Sequence, residues 1–281
     1  MMVSALAFSL MSLLVKLVGE QGIPVLEIVA ARSVVSLLMS YIALKRAGIA
    51  LFGQRKYLLF ARGFVGFMAL NCVFYGLTRL PLAEATVLQY LHPMFTTVLA
   101  LFFLKERLSA GTLICIVLSF IGLLVIVRPP FVFSDVAQHL DQWGLIAALL
   151  GAFGSAVAYV LVRSLSRTEH PLVIVLYFPL VSLPLSVLFL WGNFVMPGGL
   201  TCLYLLAIGV VTQIGQVALT RAMQTETASR ATSFAYLQVV FAMILGLVFY
   251  QETPSISTLL GAGLIVLGAY ISVFWKQKVA A

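Results

Sequence analysis

Long apolar runs follow one another along the chain with only a few polar residues between them, and the apolar positions are continuous within each run. A half-buried strand would alternate with period two, as would each short segment of a membrane barrel, so the pattern predicts helices. Ten runs come close to the roughly 20 residues that a helix needs to cross the hydrocarbon core of a bilayer. They are 3–18, 25–44, 57–77, 83–104, 110–127, 143–162, 172–191, 200–222, 228–250 and 257–274, numbered below as spans 1 to 10. The first run starts beside Met1 without a basic leader or an A-x-A cleavage site, so it reads as a helix and not as a removed signal peptide. The expected fold class is an all-α integral membrane protein of ten transmembrane helices.

Composition agrees with the pattern. Hydrophobic residues make up 62% of the chain and charged residues 9%, too few to coat a soluble globule. The net charge of +8 is spread over helix ends and forms no patch with interleaved aromatics, so a nucleic-acid partner is not expected. With the N-terminus inside, the cytoplasmic loops and tail receive Lys45, Arg46, Arg55, Lys56, Lys105, Arg107, Arg163, Arg167, Arg221, Arg230, Lys276 and Lys278. The opposite side keeps Arg79 and Arg128, with Lys16 near an outer helix end. Short cytoplasmic loops hold the Lys and Arg, so both termini are expected in the cytoplasm. Cys72, Cys115 and Cys202 fall in or beside apolar runs with no paired spacing and no companion His, which marks them as packing residues. No metal or cofactor is expected.

Shifting the chain on itself by about 146 residues aligns 75–125 with 221–271 without a gap. Ala85, Thr86, Tyr90, Leu91, Phe95, Phe103, Glu106, Ser109, Thr112, Leu113 and Gly122 meet Ala231, Thr232, Tyr236, Leu237, Phe241, Phe249, Glu252, Ser255, Thr258, Leu259 and Gly268. The copies predict a first repeat over 1–127, an external linker over 128–142, a second repeat over 143–275 and a cytoplasmic tail over 276–281. The linker holds Pro129, Pro130, His139 and both aspartates, Asp135 and Asp141. Five spans per copy is an odd number, so the second copy enters the membrane from the other side. Such an inverted repeat gives outward-open and inward-open states of similar energy, with a substrate site near the midplane.

Several segments carry a family resemblance: Lys16, Pro24 and Arg32 around the first hairpin, Asn71, Tyr75, Ala83, Ala85, Pro93 and Glu106 through spans 3 and 4, and the second copy ending in Glu252, Gly261 and Gly268. In this order on ten spans the chain resembles the drug/metabolite transporter superfamily, in particular its EamA-type ten-helix members, over essentially its whole length. The resemblance implies an inner-membrane transporter of small metabolites, often an exporter of amino acids or amphipathic drugs, that works by alternating access. One departure is Val239 where the first copy has Pro93, so spans 4 and 9 are not expected to bend alike.

Polar side chains inside a span are costly unless they face a cavity or another helix. Span 8 aligns Gln213, Gln216 and Thr220 on one face, span 3 aligns Asn71, Tyr75 and Thr78, and span 1 aligns Ser9, Ser12 and Lys16. Ser and Thr hydrogen-bond between helices routinely, but the amides and Lys16 have several groups each to satisfy and read as cavity lining. Gln89, Tyr90 and His92 precede Pro93 near mid-span, with Tyr236 and Gln238 at the positions of Tyr90 and His92 in the second copy. Two residues apart on a helix, Tyr90 and His92 are expected on different faces. Arg32 lies about 12 Å along span 2 from Pro24, deep enough to meet a substrate carboxylate, the plain alternative being snorkelling or pairing with Glu27. Tyr159 and Arg163 repeat that idea more weakly. Glu106 and Glu252, each three residues before a Ser, read as helix-start carboxylates, with proton coupling the alternative. The small residues Gly144, Ala148, Gly151, Ser155 and Ala158 of span 6, with Gly63 and Gly66 of span 3, predict close helix approach.

The sequence thus predicts a secondary transporter with a central cavity built from spans 1, 3, 4, 6, 8 and 9. Its partners are a small organic solute and the bilayer. An amino acid, aromatic in particular, is the first expected substrate and export the first expected direction, with uptake of a metabolite such as a nucleoside derivative second. Proton or counter-ion coupling stays open, and a monomer is expected with a dimer left open. A channel would need a continuous polar pore and a filter. An intramembrane enzyme is disfavoured because there is no H-E-x-x-H motif and no pair of membrane aspartates.

Overall fold

The structure, a computed structural model, describes residues 1–80, 82–127, 141–190, 194–251 and 254–275, and ten helices among them are long and apolar enough to cross a membrane. Span 1 is Met2–Gly19, span 2 Val25–Arg46, span 3 Lys56–Arg79, span 5 Ala110–Val127, span 6 Gln142–Leu165, span 7 Pro171–Leu190, span 8 Gly199–Thr225 and span 10 Ile256–Phe274. Span 4 is interrupted between Leu82–Gln89 and His92–Phe103. Span 9 runs as Ala228–Ser233, a 3-10 turn Phe234–Tyr236 and Leu237–Tyr250. The protein is a multi-pass, all-helical membrane protein. Most of the linker, the tail and Glu252 lie outside the described residues.

The helix ends follow local chemistry, and the two copies repeat it. Ser109 Oγ accepts from Thr112 N at 3.1 Å and Ser255 Oγ from Thr258 N at 3.2 Å, so equivalent serines start spans 5 and 10. Lys105 and Gln251, also equivalent, both adopt a left-handed backbone with φ of 52° and 53°, which ends spans 4 and 9. Asp141 Oδ2 starts span 6 by accepting from Gly144 N at 2.8 Å.

Chain contacts divide the protein into two compact units. The first comprises Met1–Phe67 and Leu161–Thr225, the second Met68–Val160 and Glu226–Ala281, so each draws on both copies. In the first unit span 1 packs on span 8, and span 2 on spans 7 and 8. In the second, spans 5 and 10 form the most extensive helix pair. Their crossing is tight because a Cβ on Gly122 would strike the carbonyl oxygen of Gly261, and one on Gly261 the carbonyl oxygen of Gly122. Gly268 lies in the same way against Cys115. Gly122 is the counterpart of Gly268, and Cys115 of Gly261, so these two contacts are one contact seen twice. They run antiparallel, so the twofold that relates them is perpendicular to the helices and the repeat is inverted. The small stripe of span 6 does what its residues predict: Ala148 meets Gly76 and Gly151 meets Val73.

Both spans are interrupted at overlapping positions of the repeat although only one has a proline. In span 4, Pro93 offers no N–H to Gln89 O, and Met94 N turns to Leu91 O at 3.0 Å. The carbonyls of Gln89 and Tyr90 thereby lose their helical partners. In span 9 a 3-10 turn makes the same interruption without a proline.

Candidate functional site

The first unit gathers a polar cluster inside the membrane. Arg32 from span 2 and Arg62 from span 3 are 9% and 4% exposed, and their guanidinium carbons lie 5.3 and 5.1 Å from the centroid of the Phe178 ring of span 7. Arg62 Nη2 donates to Gln216 Oε1 at 3.1 Å. Arg32 Nη1 faces Met11 Sδ at 3.8 Å, and among the described residues no carboxylate pairs with it. The expected alternative, an Arg32–Glu27 pair, does not form, because Glu27 Oε2 accepts instead from Val195 N at 3.0 Å. Gln213 Nε2 donates to Ser40 Oγ at 2.7 Å. Gln213 Oε1 and the Thr212 hydroxyl are buried with no hydrogen-bond partner among the described residues. Both line a pocket of about 10 Å3 that also touches Arg32, Ser36, Phe178 and Gln216.

The chain folds locally to make this cluster possible. Gly66 places bare backbone against the Phe178 ring, and Gly63 does so against the carbonyl of Tyr177. Span 7 carries Pro179 and Pro184 within its helix. Pro179 withdraws the N–H that the Val175 carbonyl would accept, one turn before it and beside Phe178.

The second unit gathers an aromatic cluster at the two breaks. Tyr236, fully buried, donates from Oη to Tyr90 O at 2.9 Å, and the two rings stack at 5.7 Å. His92 Nδ1 lies 3.0 Å from Gln89 O. A carbonyl only accepts, so Nδ1 is the protonated nitrogen here. The two carbonyls that the break frees are thus satisfied by two side chains, one from each copy. His92 Nε2 is buried without a hydrogen-bond partner among the described residues, and its ring lies 5.3 Å from that of Tyr159. The expected separation of Tyr90 from His92 is overturned: their rings are 6.0 Å apart, because the turn at 90–91 replaces the helical geometry that would divide them.

Other expected positions fall outside these clusters. Ser12 and Lys16 are exposed on span 1, and the Ser12 hydroxyl bonds back to Phe8 O at 2.9 Å. Tyr75 is exposed, with Arg79 over its ring at 5.4 Å. Gln89 is exposed, while Asn71 and Gln238 are half-buried. Arg163 donates to Met223 O and Gln224 O at the end of span 8. Glu106 Oε2 accepts from Ala228 N at 2.8 Å, so it caps the start of span 9.

The model of the EamA-like transporter family matches residues 1–128 and again 142–274. The chain belongs to this family. Among curated relatives, the pseudopaline exporter of Pseudomonas aeruginosa is 35% identical over 265 residues, covering 94% of this chain and 91% of the relative. Solute carrier family 35 member G1 of Mus musculus is 33% identical, over 94% of this chain and 74% of its own. The S-adenosylmethionine uptake transporter of Rickettsia felis is 25% identical, over 81% of this chain and 74% of its own. A solved crystal structure superposes with a TM-score of 0.86 at 20% identity, covering 99% of this chain and 96% of the other, which shows the shared fold. This EamA-like chain is therefore a small-molecule transporter of the drug/metabolite superfamily.

Sequence reasoning missed Arg62 and Phe178. Arg62 is about 9 Å into span 3 from Lys56, deeper than a helix-end charge needs to be, and the depth argument applied to Arg32 would have found it. Phe178 is one of 20 phenylalanines, and nothing in its neighbourhood singles it out before the fold is known.

Proposed function

We propose that this transporter exports a small organic solute of the amino-acid type across a bacterial inner membrane, with both termini cytoplasmic, by alternating access. The observation that carries the reading is the reciprocal crossing of spans 5 and 10, Gly122 on Gly261 and Cys115 on Gly268. A twofold contact of this kind lets the copies exchange conformations at little cost in energy, which is what a carrier needs to face each side in turn. The similarity to the pseudopaline exporter, nearly end to end in both chains, supports export as the direction. A second reading, uptake, is favoured by the weaker similarity to S-adenosylmethionine uptake transporters.

Counterflow in proteoliposomes tests it. Labelled amino acids, aromatic ones first, should enter faster when unlabelled solute is trapped inside. Everted vesicles should accumulate the same solute and right-side-out vesicles should not. Absence of trans-stimulation together with single-channel current steps would refute a carrier. Accumulation by right-side-out vesicles alone would turn the direction to uptake.

A further inference from the structure

We propose that Arg32, with Arg62, Gln216 and Thr212 around the Phe178 ring, is a recognition site for a carboxylate of the transported solute. The inference rests on the transport reading above and narrows its substrate class to carboxylate-bearing organic molecules.

Burial of Arg32 is the starting point. A cation at this depth is expensive unless it is paired, and none of the described carboxylates pairs with it. Snorkelling would carry its head to water, yet the residue is 9% exposed and its guanidinium is turned over a ring of span 7. Arg62 brings a second cation to the same ring. Arg32, with none of the described carboxylates beside it, makes a region that an anion relieves and a neutral or cationic solute does not. The planar fork of a guanidinium matches a carboxylate with two parallel hydrogen bonds.

The surrounding groups fit the same ligand. Gln216 accepts from Arg62 and so fixes how that fork points. The buried Thr212 hydroxyl has no partner among the described residues and can donate to a carboxylate oxygen. The unpartnered Gln213 Oε1 at the same pocket can accept an N–H from the same solute. The volume now enclosed, about 10 Å3, suits a single water, so the walls part when a carboxylate enters. Pro179 supplies the weak point for that movement, since it interrupts the helical ladder one residue after Phe178.

Thermal unfolding of the purified chain in detergent gives a direct test, because a ligand that binds the folded state raises its melting point. The probes are benzoate, L-phenylalanine and succinate, each beside its amide: benzamide, L-phenylalaninamide and succinamide. At least one carboxylate should stabilise the protein while its amide does not. Arg32→Gln should melt at or above the parent's temperature without ligand and bind that carboxylate at least about 30-fold more weakly. Equal stabilisation by the amide, no stabilisation by any carboxylate, or full binding by a folded Arg32→Gln protein would overturn the inference. A measurement on the unaltered chain covers the case in which Arg32→Gln does not fold. The stabilising carboxylate should slow modification of Arg32 by phenylglyoxal, read by peptide mass spectrometry, and an unchanged rate would count against the site. Carboxylate binding without counterflow would sink the transport reading and leave the site, whereas counterflow blind to the carboxylate would do the reverse.

Discussion

Replacing Tyr236 with Phe removes one oxygen from a fully buried ring and leaves the stack on Tyr90 intact. The lost bond is the 2.9 Å contact to Tyr90 O, a carbonyl whose helical donor, Met94 N, is already committed to Leu91 O. In the membrane no water replaces the lost donor, so the variant bears the cost of a buried unsatisfied carbonyl, about 1–3 kcal/mol. Tyr90→Phe is the matched control, since the carbonyl and its donor both remain and the ring is the same size. Its loss should be smaller than that of Tyr236→Phe, since the carbonyl keeps its donor. Reversible unfolding of both proteins in mixed micelles, compared with the parent at one lipid composition, measures the difference. Equal losses in the two variants would show that the stacked rings and not the hydroxyl hold the breaks together. No loss in Tyr236→Phe would show that the Tyr90 carbonyl finds another partner at no cost.

Two further substitutions probe other parts of the fold. Gly261→Ala forces a methyl into the carbonyl of Gly122 and should cost about 1–3 kcal/mol, whereas Gly263→Ala, where nothing lies within 4 Å, should be neutral or slightly stabilising; thermal denaturation of the pair reads the contrast. Glu106→Gln keeps an acceptor for Ala228 N and loses only the charge at the helix start, so stability should fall by about 0.3–1 kcal/mol and the pH dependence of transport should not change. A pH profile displaced in that variant would return Glu106 to the role of proton carrier.

The spans were legible because length and continuous apolarity decide a membrane helix almost unaided, and the caps were legible because Ser109 and Ser255 stand at fixed offsets from Thr112 and Thr258. The break in span 9 was not. A proline announces itself in a sequence, but the turn before Leu237 carries no marker residue, and its tyrosine bonds a carbonyl of the other copy 146 residues away. The polar cluster was half legible. Arg32, Gln213 and Gln216 stood out by depth and facing, whereas Lys16 and Ser12 had the same signature and lie exposed. Spacing on one helix says which residues share a face and not which neighbour that face meets. Glu106 illustrates this limit too, since its N–H partner belongs to a helix far along the chain.

The reciprocal crossing of Gly122 with Gly261 and of Cys115 with Gly268 is the kind of surface that two identical polypeptides present to each other. A gene for five helices alone, inserted in both orientations, would reproduce it between separate molecules. At that seam the single chain carries the signature of a homodimer, yet its halves need not be identical: one has glycine at both contact points, while the other accommodates a sulfur atom at one of them.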